Sequence, residues 1–409
     1  MGVFCVSSWP DAIAHIDADA FFVECERATN PLLRGKAVVV GKERGIATAL
    51  SYEAKALGIK RGMRIVDIKK QFPGVVVLNS DYEKYSMFSV RIFDILRRFS
   101  PVVEEYSIDE AFVDLKGLRA FYKKSYRELA VLIQKSIKEE LGISVSLGVA
   151  PTKVLAKIAS KLKKPGGIVV IKAKEIQNYL NIPVGSVWGI GPNTEALLAK
   201  FNIYTAIEFA KTDIAFLSRI LSKPYIQIHR ELRGEKVFNV DPSYKSSYKP
   251  ISKATSFKPI ADKNMLFAKI AKNVEDAAFK ARRYALAPSR IAVFLKTDNF
   301  ATENIKLKLR TPTNITSHLL EYARIGFERI YKEERSYRQT GVVLLNLTTK
   351  KRYDLFEDFT YLKKSALLYG IIDYVNTKFG RHSISIASTL PALEPKKQKL
   401  SVPFIGHVK

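Results

Sequence analysis

Two stretches decide the reading: Ala12-Ile13-Ala14-His15-Ile16-Asp17-Ala18-Asp19-Ala20-Phe21-Phe22 and Tyr106-Ser107-Ile108-Asp109-Glu110-Ala111-Phe112-Val113-Asp114. The first opens as an apolar run that ends in an acid, which suits a buried strand with Asp17 at its end. Around the second, Val102 to Ile108 and Ala111 to Leu115 read as strand, tight turn, strand, with Asp109 and Glu110 at the turn. Burying a carboxylate is costly unless something pairs with it. Three of them on neighbouring strands raise one another's pKa values. A bound divalent cation removes that penalty, and ligands that are all oxygen favour magnesium or manganese over zinc. Taken singly, each acid also suits a strand end or a pairing with one of the many lysines.

Outward from these stretches, Ala37 to Val40 reads as a second apolar strand, followed by the loop Gly41 to Gly45 and a helical segment from Tyr52 to Leu57 closed by Gly58. Leu129, Leu132, Ile133, Ile137 and Leu141 recur at helical spacing, and Ile143, Val145, Leu147 and Val149 alternate as a strand does. The interleaving suits an antiparallel sheet backed by helices, an α+β layer. From about 173 to 240 the pattern is of short helices. Within it, Trp188-Gly189-Ile190-Gly191-Pro192 places two glycines before a helix start. Such backbone N–H groups can hold a phosphate, and an ordinary turn fits the same residues.

Residues 242–250 have no apolar period and read as a linker. Sheet patterning then returns over Ser252 to Ile260, Ile291 to Lys296, Ile305 to Leu309 and Gly341 to Leu347. Helical spacing appears over Ile270 to Ala281 and Leu319 to Ile330. This is a second α+β domain. The pattern from 350 to 409 is less regular.

The 409 residues carry 67 Lys and Arg against 40 Asp and Glu, a formal net charge of +27. Self-repulsion of this size is relieved by a polyanion, and nucleic acid gains counterion release on binding. The stretch 242–310 alone has 15 basic and 5 acidic residues, a balance of +10. Cys5 and Cys25 are too few for a disulfide framework or a structural zinc site. The N-terminus has no secretory pattern and no run approaches 18 apolar residues. The expectation is a cytoplasmic protein with no membrane segment, acting as a monomer.

His15 to Phe22 and Tyr106 to Asp114 resemble the two metal-binding motifs of Y-family DNA polymerases. Ser51-Tyr52-Glu53-Ala54-Lys55 with Gly58-Ile59-Lys60 is similar to the finger motif. Ala150-Pro151-Thr152-Lys153 through Lys164-Pro165-Gly166-Gly167 resembles the end of the palm, and Trp188 to Gly191 the thumb hairpin. The motifs stand in family order over about residues 10 to 350.

The resemblance implies a right-hand polymerase. Its ferredoxin-like palm would take residues 1–20 and 82–172, small fingers 21–81, a helical thumb with a helix-hairpin-helix 173–241, a linker 242–250, a little finger 251–349 and a tail 350–409. It implies template-directed addition of deoxyribonucleoside triphosphates to a primer-template DNA, with low fidelity and bypass of damaged bases. Asp17, Asp109 and Glu110, with the Ala18 carbonyl, would hold two magnesium ions, and manganese also suits them. Phe21, Phe22, Thr48, Tyr52, Lys55 and Lys164 match nucleotide-contacting positions, Phe22 being the steric gate against ribose. Gly189 and Gly191 would contact DNA. Lys55 stands where arginine is common, and the run Ala47-Thr48-Ala49 is offset by one residue from the commonest pattern.

The tail resembles that of some bacterial members, including the polymerase subunit of the UV-mutagenesis system. Arg352-Tyr353-Asp354-Leu355-Phe356 is similar to the short motif that docks on the sliding clamp. Tyr353, Leu355 and Phe356 would be its contacts, although glutamine usually stands at the place of Arg352. A small amphipathic element packed on its own domain fits the same residues. Two other classes remain: a non-catalytic DNA-binding scaffold and a palm-type nucleotidyl cyclase. Primer extension separates them from a polymerase.

Overall fold

The computed structural model describes residues 9, 11–243, 250–349 and 359–393. The chain divides into two compact units, with the boundary between residues 244 and 245. Most of the expected linker lies outside the described residues, as do Tyr353, Leu355 and Phe356.

The first unit runs β1 (Ile13–Ala18), α1 (Phe21–Thr29), β2 (Val38–Val40), β3 (Ala49–Leu50), α2 (Tyr52–Ala56), α3 (Ile65–Gln71) and β4 (Val76–Leu78). It continues with α4 (Tyr82–Phe99), β5 (Val103–Glu105), β6 (Glu110–Asp114), α5 (Leu118–Tyr122), α6 (Tyr126–Leu141), β7 (Val145–Ala150), α7 (Lys153–Leu162) and β8 (Ile168–Val170). Four short helices follow: α8 (Pro192–Ala199), α9 (Ala206–Lys211), α10 (Ile214–Ile220) and α11 (Lys223–Leu232).

Its main sheet has the order β5-β6-β1-β7-β8. The two central strands, β1 and β7, are buried at every residue, which explains their near-continuous apolar character. On one face Ile16, Val113 and Leu147 pack with Ile92, Leu96, Leu129 and Ile133 of α4 and α6. Helix α6 is fixed at its start by a capping box of Ser125 and Glu128, and at its end by Gly142 in the left-handed conformation.

On the other face lies α7, seated on β7 through Gly148. A Cβ there would come within 2.1 Å of the Ala156 carbonyl oxygen, so only glycine lets the helix approach this closely. This face and the short helices share a second core that includes Ile13, Phe112, Val154, Ile158 and Phe209. Strands β3-β2-β4 form a separate small sheet with its own core of Val39, Ala54, Ile59 and Ile68.

Two expectations need correction. The main sheet is not wholly antiparallel, because β8 pairs with β7 in parallel. The turn expected at Asp109 and Glu110 is four residues, Tyr106 to Asp109, and Glu110 already belongs to β6. The Tyr106 and Ser107 N–H groups both donate to the Glu110 carbonyl, and that turn starts the strand one residue earlier than its apolar pattern suggests.

The second unit runs β9 (Ile251–Ile260), α12 (Lys263–Arg283), β10 (Ala287–Thr297), β11 (Thr302–Lys308), α13 (Thr316–Ile330), β12 (Tyr337–Thr348) and α14 (Phe359–Phe379). Its sheet, β11-β10-β12-β9, is antiparallel throughout. Helices α12 and α13 cover one face through Leu266, Ile270, Val274, Leu319 and Phe327.

The 21-residue α14 is absent from the sequence reading of the tail. It carries apolar residues on both sides, so no single stripe marks it. Tertiary contacts fix it instead: Arg282 on α12 donates two hydrogen bonds to Asp373 at 2.6 and 2.8 Å, and the Tyr369 hydroxyl accepts from the Ser317 N–H at 3.1 Å. Among the described residues, no helix is long and apolar enough to cross a membrane.

Candidate active site

Asp17 on β1 lies directly opposite Glu110 on β6 in the antiparallel register. Opposed residues of such a pair point to the same face. Asp109 joins them through the backbone, its carbonyl accepting the Ala18 N–H at 2.9 Å. The three acids are therefore gathered at one end of the neighbouring strands β1 and β6, as the sequence suggests. Among the described residues, however, no three His, Cys, Asp or Glu side chains converge closely enough to ligate one metal ion.

Each of Asp17, Glu110 and Glu104 is paired instead with a lysine from α7 or the turn after it. Lys157 Nζ donates to Glu110 Oε2 at 2.6 Å, and Lys164 Nζ donates to Asp17 Oδ1. Further along, Lys153 holds Glu104 at 2.6 and 2.8 Å. The Asp109 carboxylate accepts from the Ser107 hydroxyl within its own turn.

The charges are finely opposed. Burial lifts Asp17 to about 6; Lys164 works against this, while Glu110 and Asp109 add to it. Burial would raise Glu110 as well, but the Lys157 ammonium outweighs it and holds the carboxyl below the usual carboxylate range. His15 is fully buried, and burial depresses it to about 4. Its Nδ1 lies 2.7 Å from Ser160 Oγ on α7, while Nε2 faces Glu110 Oε2 at 3.9 Å, too long for a hydrogen bond. The donor set is all oxygen, crowded and electron-rich, and suits a hard divalent cation.

Asp19 is a residue the sequence reading passed over. It is 1% exposed, and the Lys164 ammonium stands 3.8 Å from its Oδ1. It accepts from Ser146 at 2.8 Å, Ser144 at 3.1 Å, the Gly166 N–H at 2.8 Å and the Tyr52 hydroxyl at 3.3 Å. Four donors satisfy the buried charge. They also tie α2 and the Lys164 turn to β1. The Asp-x-Asp alternation of residues 17–19 was the available signal.

Tyr52 thus reaches the acids, with the Lys55 ammonium 4.4 Å above its ring. Thr48 is differently placed, since its hydroxyl donates to the Val40 carbonyl at 2.9 Å and is occupied within the small sheet. Phe21 is 4% exposed and its ring belongs to the core. Phe22 is half-buried and stacks on Tyr85 at 4.3 Å and 12°. Tyr85 is held from behind by its hydrogen bond to Glu26 at 2.8 Å.

Trp188 reaches the main sheet. Its Nε1 donates to the Tyr106 hydroxyl at 2.9 Å, and its ring packs on Phe112. The adjoining Gly189 adopts φ +92°, where a Cβ would also strike Ile228 at 2.6 Å. Gly191 is exposed, caps α8 and has open space where a Cβ would be, which leaves its backbone approachable.

The second unit offers a different surface. The face of its sheet not covered by helices carries Lys258, Arg290, Lys296, Lys306 and Lys308. Arg290 and Lys308 are direct cross-strand partners. Like charges so placed are destabilising, and a polyanion offsets that cost.

The impB/mucB/samB family matches residues 16–161, and its C-terminal domain matches residues 248–355. DNA polymerase IV of Caulobacter vibrioides is 32% identical over 380 residues, covering 91% of this chain and 93% of that protein. DNA polymerase IV 1 of Bacillus subtilis is 30% identical, with 95% of each chain covered. A solved chimeric Y-family DNA polymerase superposes with a TM-score of 0.70 at 25% identity, covering 83% of this chain and 100% of the other.

The chain belongs to the Y family of DNA polymerases. It is a DNA-directed DNA polymerase of the translesion type, and its family depends on divalent metal ions.

Proposed function

We propose that Asp17, Asp109 and Glu110, with the Ala18 carbonyl, hold two magnesium ions at that end of β1 and β6. The in-register pairing of Asp17 with Glu110 carries this reading. Bound there, the ions would supply activation of a primer 3′-hydroxyl and charge neutralisation at the triphosphate. Manganese, with the same ligand preference, could substitute.

The chain's own residues do the placing. Lys157 fixes the Glu110 carboxylate. Asp19 fixes Tyr52 and the Lys164 turn beside Asp17. Tyr52, Lys55 and Lys164 bind the triphosphate, where phenol and ammonium donors suit phosphate oxygens. Phe22, stiffened by its stack on Tyr85, excludes a ribose 2′-hydroxyl. Thr48 reaches a phosphate only by giving up its bond to Val40. The backbone at Gly189 and Gly191 meets a DNA phosphate, and the basic open sheet of the second unit binds primer-template DNA at several more.

In this reading residues 1–20 and 82–172 act as palm, 21–81 as fingers, 173–241 as thumb and 251–349 as little finger. The enzyme works as a monomer in the cytoplasm. Tyr353, Leu355 and Phe356 are assigned to a sliding clamp on their sequence resemblance alone.

Primer extension with Asp17→Ala, Asp109→Ala and Glu110→Ala tests the metal assignment. Each should lose roughly a thousand-fold in rate, about 4 kcal/mol of transition-state stabilisation, while primer-template binding persists. Near-normal extension by Glu110→Ala would overturn it.

A further inference from the structure

Three acids on neighbouring strands are matched to three lysines: Glu104 to Lys153, Glu110 to Lys157 and Asp17 to Lys164. The three pairs are not equivalent. Lys153 and Lys157 are 5% and 7% exposed, and both lie on α7. Their ammonium groups sit 4.5 Å over the Phe112 ring and 4.4 Å over the Tyr106 ring. They are fixed by the helix and by the aromatic layer. Lys164 lies beyond the end of α7, in the turn before β8. Its side chain is 25% exposed, and its Nζ also lies 3.8 Å from Asp19.

We propose that Lys164 is an exchangeable counterion, which neutralises Asp17 until a nucleotide arrives and then transfers to the triphosphate, releasing Asp17 to a divalent cation. This deepens the proposed reading and rests on its assignment of Asp17 as a metal ligand and Lys164 as a triphosphate contact.

Three physical points support the exchange. Asp17 is 7% exposed beside two other acids, so it needs a positive partner when no metal is bound. Lysine is a point charge on a flexible stem, without the fork that locks arginine to a carboxylate, so it can change partners. A triphosphate carries more negative charge than one carboxylate and draws the ammonium more strongly. Nucleotide and metal would then be coupled: each would bind better when the other is present, because both require the Lys164–Asp17 pair to open.

The test measures Mn2+ binding to the full chain without nucleotide, by the paramagnetic resonance signal of free Mn2+. Lys164→Met should bind Mn2+ roughly five- to fifty-fold more tightly than the unaltered protein, the size of a typical coupling. Lys164→Arg, which can grip Asp17 with two hydrogen bonds, should shift the other way. After subtraction of the analogue's own chelation of Mn2+, measured without protein, a non-hydrolysable deoxynucleotide analogue should tighten Mn2+ binding in the unaltered protein and much less in Lys164→Met.

Lys161→Met removes a nearby charge that also acts on Asp17. If it tightens Mn2+ as much as Lys164→Met, the effect is only the general field and the exchange is refuted. Unchanged or weaker Mn2+ binding by Lys164→Met refutes it as well. Asp17→Asn separates the two levels: if it binds Mn2+ like the unaltered protein, the metal-site assignment fails first.

Discussion

Lys157 donates to Glu110 at 2.6 Å from a helix whose seat on the sheet depends on Gly148. The acid-bearing strand end is thus held by a cation from a different element, 47 residues further along the chain. A buried ion pair of this kind is most visible when one partner is removed, because the other is left uncompensated.

Lys157→Met should therefore destabilise the fold by about 2–4 kcal/mol, read as a lower midpoint in urea unfolding. Added magnesium should recover part of that loss, and more than it stabilises the unaltered protein, because a cation replaces the missing charge. Equal magnesium effects in both would show that Glu110 does not feel the metal.

The stack of Phe22 on Tyr85 makes a sharper test of sugar selection. Phe22→Ala should admit ribonucleotides while deoxyribonucleotide use falls only modestly. The quantity to follow is the ratio of kcat/KM for the two sugars, which should drop by roughly a hundred-fold or more, about 3 kcal/mol of lost discrimination. A parallel fall in both efficiencies would place Phe22 in the core alone.

Arg290, Lys306 and Lys308 lie together on the open face of the second sheet. Lys306→Ala with Lys308→Ala should weaken primer-template binding at low salt. The slope of log K against log salt should become shallower by roughly one to two, one for each phosphate that no longer meets a lysine. A full slope would exclude these two lysines from DNA.

The tail should respond to pH. His382 lies between Asp276 at 3.5 Å and Glu275 at 3.6 Å, and those two carboxylates raise it from 6.5 to about 9. A raised pKa means the folded state holds the proton more tightly. The stabilisation is complete below pH about 6.5 and disappears as pH rises through 9, a loss of roughly 1–2 kcal/mol after solvent screening. Hydrogen-exchange protection over residues 359–379, corrected for the intrinsic rise of exchange with pH, should fall across that window, and His382→Ala should abolish that fall.

Much of this protein was legible in order along the chain. Asp17, Asp109 and Glu110 announced themselves because acids at the ends of apolar runs are costly there. The strands of both main sheets, apart from β8, followed from alternation or continuous apolar runs, and the excess of basic residues pointed to a polyanion. These are local signals, carried within a few residues by periodicity and charge.

What the sequence left open was decided by contacts between distant residues. Nothing in the spacing of Lys157 and Lys164 assigns one to Glu110 and the other to Asp17; that follows from the approach of α7 over Gly148. Asp19 looks like its neighbour Asp17 in sequence, and only the convergence of Ser144, Ser146, Gly166 and Tyr52 turns it into a structural tie. Phe21 and Phe22 are adjacent and chemically identical, yet the first turn of α1 buries one ring and leaves the other half open. Helix α14 shows no single apolar stripe, and its docking depends on Arg282 and Tyr369 meeting partners from other elements. Periodicity fixes which elements form, whereas the pairing of charges across them depends on how those elements pack, and that information is spread over the whole chain.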